Sequence, residues 1–137
     1  MALNIDGFHH IAIIVSDYQR SKYFYTEILG AEIISEIYRE SRDSYKLDLR
    51  FKDGSQIELF SFPSSPARLT MPEACGLRHL AFKVENIDWA VKFLQENDVE
   101  CESIRIDELT GKRFTFFRDP DDLPLELYEA AFEGDGV

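Results

Sequence analysis

The sequence predicts an α+β fold built from two copies of one strand–helix–three-strand module. Two observations carry that prediction: a histidine and a glutamate recur at matched places, and the residues between them recur in step. His10 in Phe8-His9-His10-Ile11-Ala12-Ile13 is matched by His79 in Leu77-Arg78-His79-Leu80-Ala81-Phe82. Glu58 in Gln56-Ile57-Glu58-Leu59-Phe60 is matched by Glu126 in Pro124-Leu125-Glu126-Leu127-Tyr128. The spacing from His10 to Glu58 is 48 (58 − 10), and from His79 to Glu126 it is 47 (126 − 79). Asp17 aligns with Asn86 and Phe24 with Phe93 at an offset of 69, and Asp53 with Asp121 at 68, so a single one-residue deletion reconciles the copies. Two copies make a duplicated domain and not a solenoid.

In the first copy, residues 7–15 are apolar and β-branched, which suits a buried strand. Asp17 is placed to cap a helix over 18–29, with Ser21, Phe24, Tyr25 and Ile28 on one face and Gly30 as its left-handed stop. Strands follow near 31–38, 44–51 and 56–62, the last two joined by a turn at Asp53-Gly54. The second copy repeats the order: a strand at 77–84, a helix capped by Asn86 and running to 96, and strands near 101–106, 113–118 and 123–129. Ala90, Phe93 and Leu94 are expected to face inward, and Asn97 to take the place held by Gly30. The domain is expected over 5–131, as a module at 5–62, a proline-bearing linker at 63–76 and a module at 77–131. Residues 133–137 read as a frayed tail.

Composition excludes several classes. The net charge of −11 is wrong for nucleic-acid phosphates and for an anionic membrane face. No apolar run approaches the roughly 20 residues of a spanning helix. The N-terminus has no basic region leading into an apolar stretch, and Cys75 and Cys101 form no Cys-x-x-Cys motif. A cytoplasmic protein with reduced thiols is therefore expected. Hydrophobic residues make up 45% of the chain, enough for a packed core.

Strand alternation places the repeated residues on one face. His10, Ala12 and Ile14 share a face, opposite His9, Ile11, Ile13 and Val15; His79, Ala81 and Lys83 share one opposite Leu80, Phe82 and Val84. Glu58 stands opposite Ile57 and Leu59, and Glu126 opposite Leu125 and Leu127. The aliphatic rows should pack on the helices, leaving His10, Glu58, His79 and Glu126 inside a cupped mixed sheet. A lone His or Glu on a strand is most often structural, but four metal-competent residues at duplicated positions read as a divalent-metal ligand set. Imidazole with carboxylate suits Zn, Ni, Co, Mn or Fe(II). Such an ion polarises a carbonyl, and a ligating glutamate is positioned to move a proton. His9 is expected on the helix side, and Arg39, Arg42 and Arg113 are expected either on the solvated surface or gathering an anionic substrate inside the cup.

These motifs, with Phe24-Tyr25, Leu29-Gly30, Tyr38-Arg39-Glu40-Ser41-Arg42-Asp43-Ser44 and Lys112-Arg113-Phe114-Thr115-Phe116-Phe117, resemble the vicinal oxygen chelate superfamily of glyoxalase I, bleomycin-resistance proteins and extradiol dioxygenases, and within it the small bacterial YaeR-type branch. The resemblance implies paired βαβββ modules and one divalent ion per site, Zn2+ or Ni2+ foremost and Co2+, Mn2+ or Fe2+ as alternatives, at His10, Glu58, His79 and Glu126. Glu126 matches the glyoxalase glutamate that is a leading candidate for the base. Glutathione-using relatives carry an arginine and an asparagine where this chain has Ile14 and Phe62. Dioxygenases leave unligated the position that Glu58 fills. The expected function is a metal-dependent, glyoxalase-like lyase or isomerase acting on a small carbonyl or thiol-adduct substrate, as a homodimer. The alternatives are a metabolite- or drug-sequestering binding protein and an Fe(II) dioxygenase.

Overall fold

The structure is a computed structural model, and it describes residues 1–130. The expected tail at 133–137 and the module end at 131 lie outside the described residues. The chain divides into two compact units with the boundary between Ala67 and Arg68.

In the first unit, β1 (Ile11–Val15) leads into α1 (Tyr18–Tyr23), whose last turn widens into a π segment (Phe24–Ile28). β2 (Glu32–Arg39), β3 (Ser44–Arg50) and β4 (Gln56–Ser61) follow. The strand order is β1-β4-β3-β2, with β1 parallel to β4 and the other pairs antiparallel. The second unit repeats it: β5 (Leu80–Val84), α2 (Ile87–Glu96), β6 (Arg105–Ile106), β7 (Arg113–Arg118) and β8 (Pro124–Glu129), in the order β5-β8-β7-β6. The duplication is therefore structural, and the fold is α+β, two βαβββ modules each with a mixed four-stranded sheet.

Local chemistry sets the boundaries. Both helices start at the expected caps: the Asp17 carboxylate accepts from Arg20 N–H, and the Asn86 side chain accepts from Trp89 N–H. The first helix is not α-helical over 18–29 as expected. The Thr26 hydroxyl donates to the Lys22 carbonyl at 2.7 Å, which competes with the backbone ladder where the turn widens. Gly30 then takes φ 81°. In α2 the left-handed residue is Asp98, at φ 62°, and not Asn97, which instead donates from its side-chain amide to the Phe93 carbonyl.

The first strand of each module is shorter than expected. Pairing begins at Ile11 with Ile57 and at Leu80 with Leu125, one residue inside the starts of β4 and β8, and the residues before them belong to no strand. β6 keeps two residues because the Glu102 carbonyl accepts from the Thr115 hydroxyl at 2.6 Å, holding the chain before it in an irregular path.

The cores follow the alternation. Ile13, Val15, Phe24, Tyr25, Leu47, Leu49, Ile57 and Leu59 are buried in the first unit; Ile87, Leu94, Phe117, Leu123, Leu125 and Leu127 are buried in the second. Residues 68–76 belong to the second unit and are tied there: Arg68 donates to the Leu77 carbonyl, and the Thr70 hydroxyl donates to the Asp122 carbonyl at 2.8 Å.

Candidate metal centre

Strand register explains why each histidine meets a glutamate. In the first unit Ala12 is the Cα partner of Glu58, and in the second Ala81 is the partner of Glu126. Each histidine lies two residues before that alanine, just outside the strand, where its ring can lean over a methyl-sized side chain toward the carboxylate. The result is the same contact twice. His10 Nε2 lies 3.6 Å from Glu58 Oε2, and His79 Nε2 lies 3.2 Å from Glu126 Oε1. In both, Nε2 addresses the acid and Nδ1 lies near the preceding residue: His9 Nδ1 at 2.8 Å in the first unit and Arg78 Nη1 at 3.4 Å in the second.

The two pairs differ in surroundings. On the first sheet the carboxylate has polar company. Lys46 Nζ donates to both Asp48 carboxylate oxygens at 2.8 and 3.0 Å and lies 3.9 Å from Glu58. Burial pushes Asp48 up, but the Lys46 ammonium and the Ser35 hydroxyl outweigh it and hold the carboxyl below the usual range. On the second sheet the corresponding strand offers aromatic rings. Phe116 is the register partner of Glu126, and its ring meets the His79 ring edge-on at 5.1 Å. Glu126 is buried, with its side chain 11% exposed.

Among the described residues, no group of three or more His, Cys, Asp or Glu side chains is set to hold a metal ion. Each unit brings together one imidazole and one carboxylate. The donor chemistry fits a divalent ion of intermediate softness. Two further ligands would bring such a pair to the four that such ions commonly take.

The arginines are sorted differently from expectation. Arg39 and Arg42 do flank the glutamate face, their guanidinium carbons 5.3 and 5.2 Å from the Phe60 and Phe62 ring centres. Arg113 does not. It follows the parity of buried Thr115 and Phe117, on the helix side, and is neutralised by Glu129 at 2.7 Å and Asp88 at 3.0 Å. His9, expected on the helix side, is exposed and lies before the start of β1.

The sequence reading missed a cavity of about 370 Å3 in the second unit. His79 and Phe116 line it, together with Arg68, Arg78, Arg105 and Arg118. The arginine excess in 68–78 was the available signal, hidden because that stretch reads as a linker.

The comparisons agree with this geometry. The profile of the Glyoxalase/Bleomycin resistance protein/Dioxygenase superfamily matches residues 7–127. YwkD of Bacillus subtilis (strain 168), an uncharacterized protein, is 62% identical over 125 residues, covering 91% of this chain and 98% of its own. YaeR of Escherichia coli (strain K12), also uncharacterized, is 60% identical over 127 residues, covering 93% and 98%. The crystal structure of a glyoxalase family protein from Enterococcus faecalis superposes with a TM-score of 0.83 at 49% identity, covering 90% of this chain and 98% of that one. Further off, metallothiol transferase FosB of Staphylococcus haemolyticus (strain JCSC1435) is 29% identical over 131 residues, covering 94% and 87%. With duplicated modules, matched registers and a profile spanning both His/Glu pairs, the chain belongs to the Glyoxalase/Bleomycin resistance protein/Dioxygenase superfamily, the vicinal oxygen chelate proteins.

Proposed function

We propose that the protein is a metal-dependent lyase or isomerase of glyoxalase type, acting on a small carbonyl substrate. The observation that carries this reading is the repeated half-site: in each unit an imidazole Nε2 faces a glutamate oxygen at 3.2–3.6 Å, beside a small alanine. Its cofactor would be a divalent ion, Zn2+ or Ni2+ foremost, for which His10, Glu58, His79 and Glu126 would be the ligands. The working form is a homodimer. The kinship with a protein named for metallothiol transfer supports metal chemistry in this family.

A bound divalent ion supplies Lewis acidity to a carbonyl oxygen. The chain's own residues do the rest. Glu126 holds and moves the proton at the carbon next to the carbonyl, and its burial keeps competing water away. His10 and His79 would hold the ion, and Glu58 would add compensating charge. Ala12 and Ala81 leave space on the sheet face for the substrate. Ile14, 56% exposed, and Phe62, stacked on Phe60 at 6.3 Å, give that face apolar contacts where glutathione enzymes place polar ones.

Elemental analysis and metal titration of purified protein test the reading. About one divalent ion per complete site is expected, with affinity lost in His79→Ala and weakened in Glu126→Gln. Unchanged affinity in both variants overturns it. Tight binding of one small molecule by metal-free protein, with no turnover of any carbonyl, would instead identify a sequestering protein.

A further inference from the structure

The cavity beside His79 runs against the charge of the chain. The whole sequence carries −11, yet this cavity is lined by four arginines and only two glutamates. Three of the arginines have carboxylate partners: Arg78 with Glu73 at 2.6 Å, Arg105 with Glu102 at 2.9 Å and Arg118 with Asp122 at 2.7 Å. Arg68 has none among the described residues. Its Nε donates to the Thr70 hydroxyl at 3.1 Å, and Nη2 donates to the Leu77 carbonyl and, more weakly, to the Arg78 carbonyl at 3.4 Å. All three acceptors are neutral, so the guanidinium is fixed in place and keeps its full charge. Of its five N–H donors, those on Nη1 are uncommitted.

We propose that this cavity is an oxyanion pocket that takes a phosphate, phosphonate or carboxylate group of the substrate, with Arg68 as its principal cation. The assignment deepens the proposed function, and it rests on that reading for the claim that the reacting carbonyl lies at His79 and Glu126. A planar, immobilised guanidinium is suited to a two-oxygen contact with such a group. Arg105 supplies a second cation. Its guanidinium carbon lies 5.1 Å from the Phe114 ring centre and 5.7 Å from that of Phe116, whose ring touches His79. One aromatic ring therefore separates an anion-binding group from a candidate metal ligand, which suits a substrate of a few carbons. Leu69, Met71 and Pro124 give the cavity apolar wall for those carbons. The volume falls in the range of roughly 300–1,000 Å3 typical of small-molecule sites.

The test is an NMR titration of metal-free, full-length protein with inorganic phosphate, at constant ionic strength set by chloride. Saturable shifts of the Arg68 and Arg105 Nε–H signals and of the Thr70 amide are expected. Arg68→Ala should weaken binding about 10–100-fold, the usual weight of a charge-assisted contact, and Arg68→Lys should recover part of it. Should Arg68→Ala fail to fold, Arg105→Gln reads the same pocket from β6. Non-saturating or diffuse shifts in the wild type, or wild-type affinity in Arg68→Ala, overturn the proposal. His79→Ala separates the two readings. Phosphate binding retained there, with metal bound by no form of the protein, leaves the pocket standing and removes the metal site. Metal binding without phosphate binding does the reverse.

Discussion

Glu126 and Glu58 occupy duplicated positions but are not equivalent. Glu126 has an imidazole nitrogen at 3.2 Å and a phenylalanine across the strand pair, whereas Glu58 has Lys46 and Asp48 nearby. A base works best where no resident cation competes for its charge, which is why the proposed mechanism gives the proton transfer to Glu126. Glu126→Gln keeps the shape and removes the basicity; turnover should fall on the order of 10²–10⁴-fold in steady-state assays. Glu58→Gln should weaken the metal more than it alters turnover of the metal-loaded protein. Equal kinetic losses in the two loaded variants would contradict the assignment of roles. Ile14 and Phe62 lead to a substrate prediction. A glutathione–methylglyoxal hemithioacetal should be turned over with kcat/KM below the usual enzymatic floor of about 10⁴ M⁻¹s⁻¹, and a value above it would make the protein an ordinary glyoxalase I. All four candidate ligands were readable from the repeat. Arg68 was not, because its significance lies in hydrogen-bonding only to neutral oxygens, and no spacing in the sequence encodes that.

At the scale of elements, the duplicated caps and the helix-to-sheet ties are open to measurement. Asp17→Ala and Asn86→Ala each remove an acceptor from a helix start, and each should cost about 1 kcal/mol in chemical denaturation. Leu125→Ala, the second residue of β8 and fully buried, should cost about 2–5 kcal/mol. The Arg113 cluster joins β7, β8 and α2, and it carries a pH dependence. Hydrogen bonding from Arg113 holds the Glu129 carboxyl below the usual glutamate range. A depressed folded value means that the contribution is complete above the ordinary glutamate value of about 4.3 and is lost as pH falls through the folded value. Wild type should therefore exceed Glu129→Gln in stability at pH 7, and the gap should close on acidification below about 4. Urea unfolding at several pH values measures it, and a gap that widens in acid would refute the assignment.

At the scale of the whole molecule, the proposed assembly and metal site can be tested directly. Each unit supplies two donors, so the proposed site needs one half of each kind. Sedimentation at micromolar concentration with metal present should show a dimer, and a monomer would count against the proposed assembly. Mixing His10→Ala with His79→Ala protein tells which chains contribute. If a site combines halves from two chains, a mixed dimer carries one intact site and recovers metal binding. If a site is completed within one chain, every site in the mixture keeps a defect and nothing is recovered. Metal should also raise the thermal midpoint in a concentration-dependent way, as any ligand of the native state does.

Spacing and alternation in the chain were enough to give the duplication, the α+β class, the element order, the Asp17 and Asn86 caps and the strand faces of Glu58 and Glu126. These follow from spacing and side-chain alternation, which act over a few residues and survive in any arrangement of the modules. Tertiary structure decided what depends on partners distant along the chain. The first strands start only where pairing with β4 and β8 begins, Ile11 with Ile57 and Leu80 with Leu125. Arg113 is consumed by Glu129 and Asp88, which lie 16 and 25 residues away. The segment from Arg68 to Ala74 reads as a linker in one dimension, yet in three it forms a wall of an arginine-lined cavity beside His79. Composition marks that segment as turn-forming, but only hydrogen bonds such as Thr70 to Asp122, 52 residues on, give it a fixed place against the second sheet.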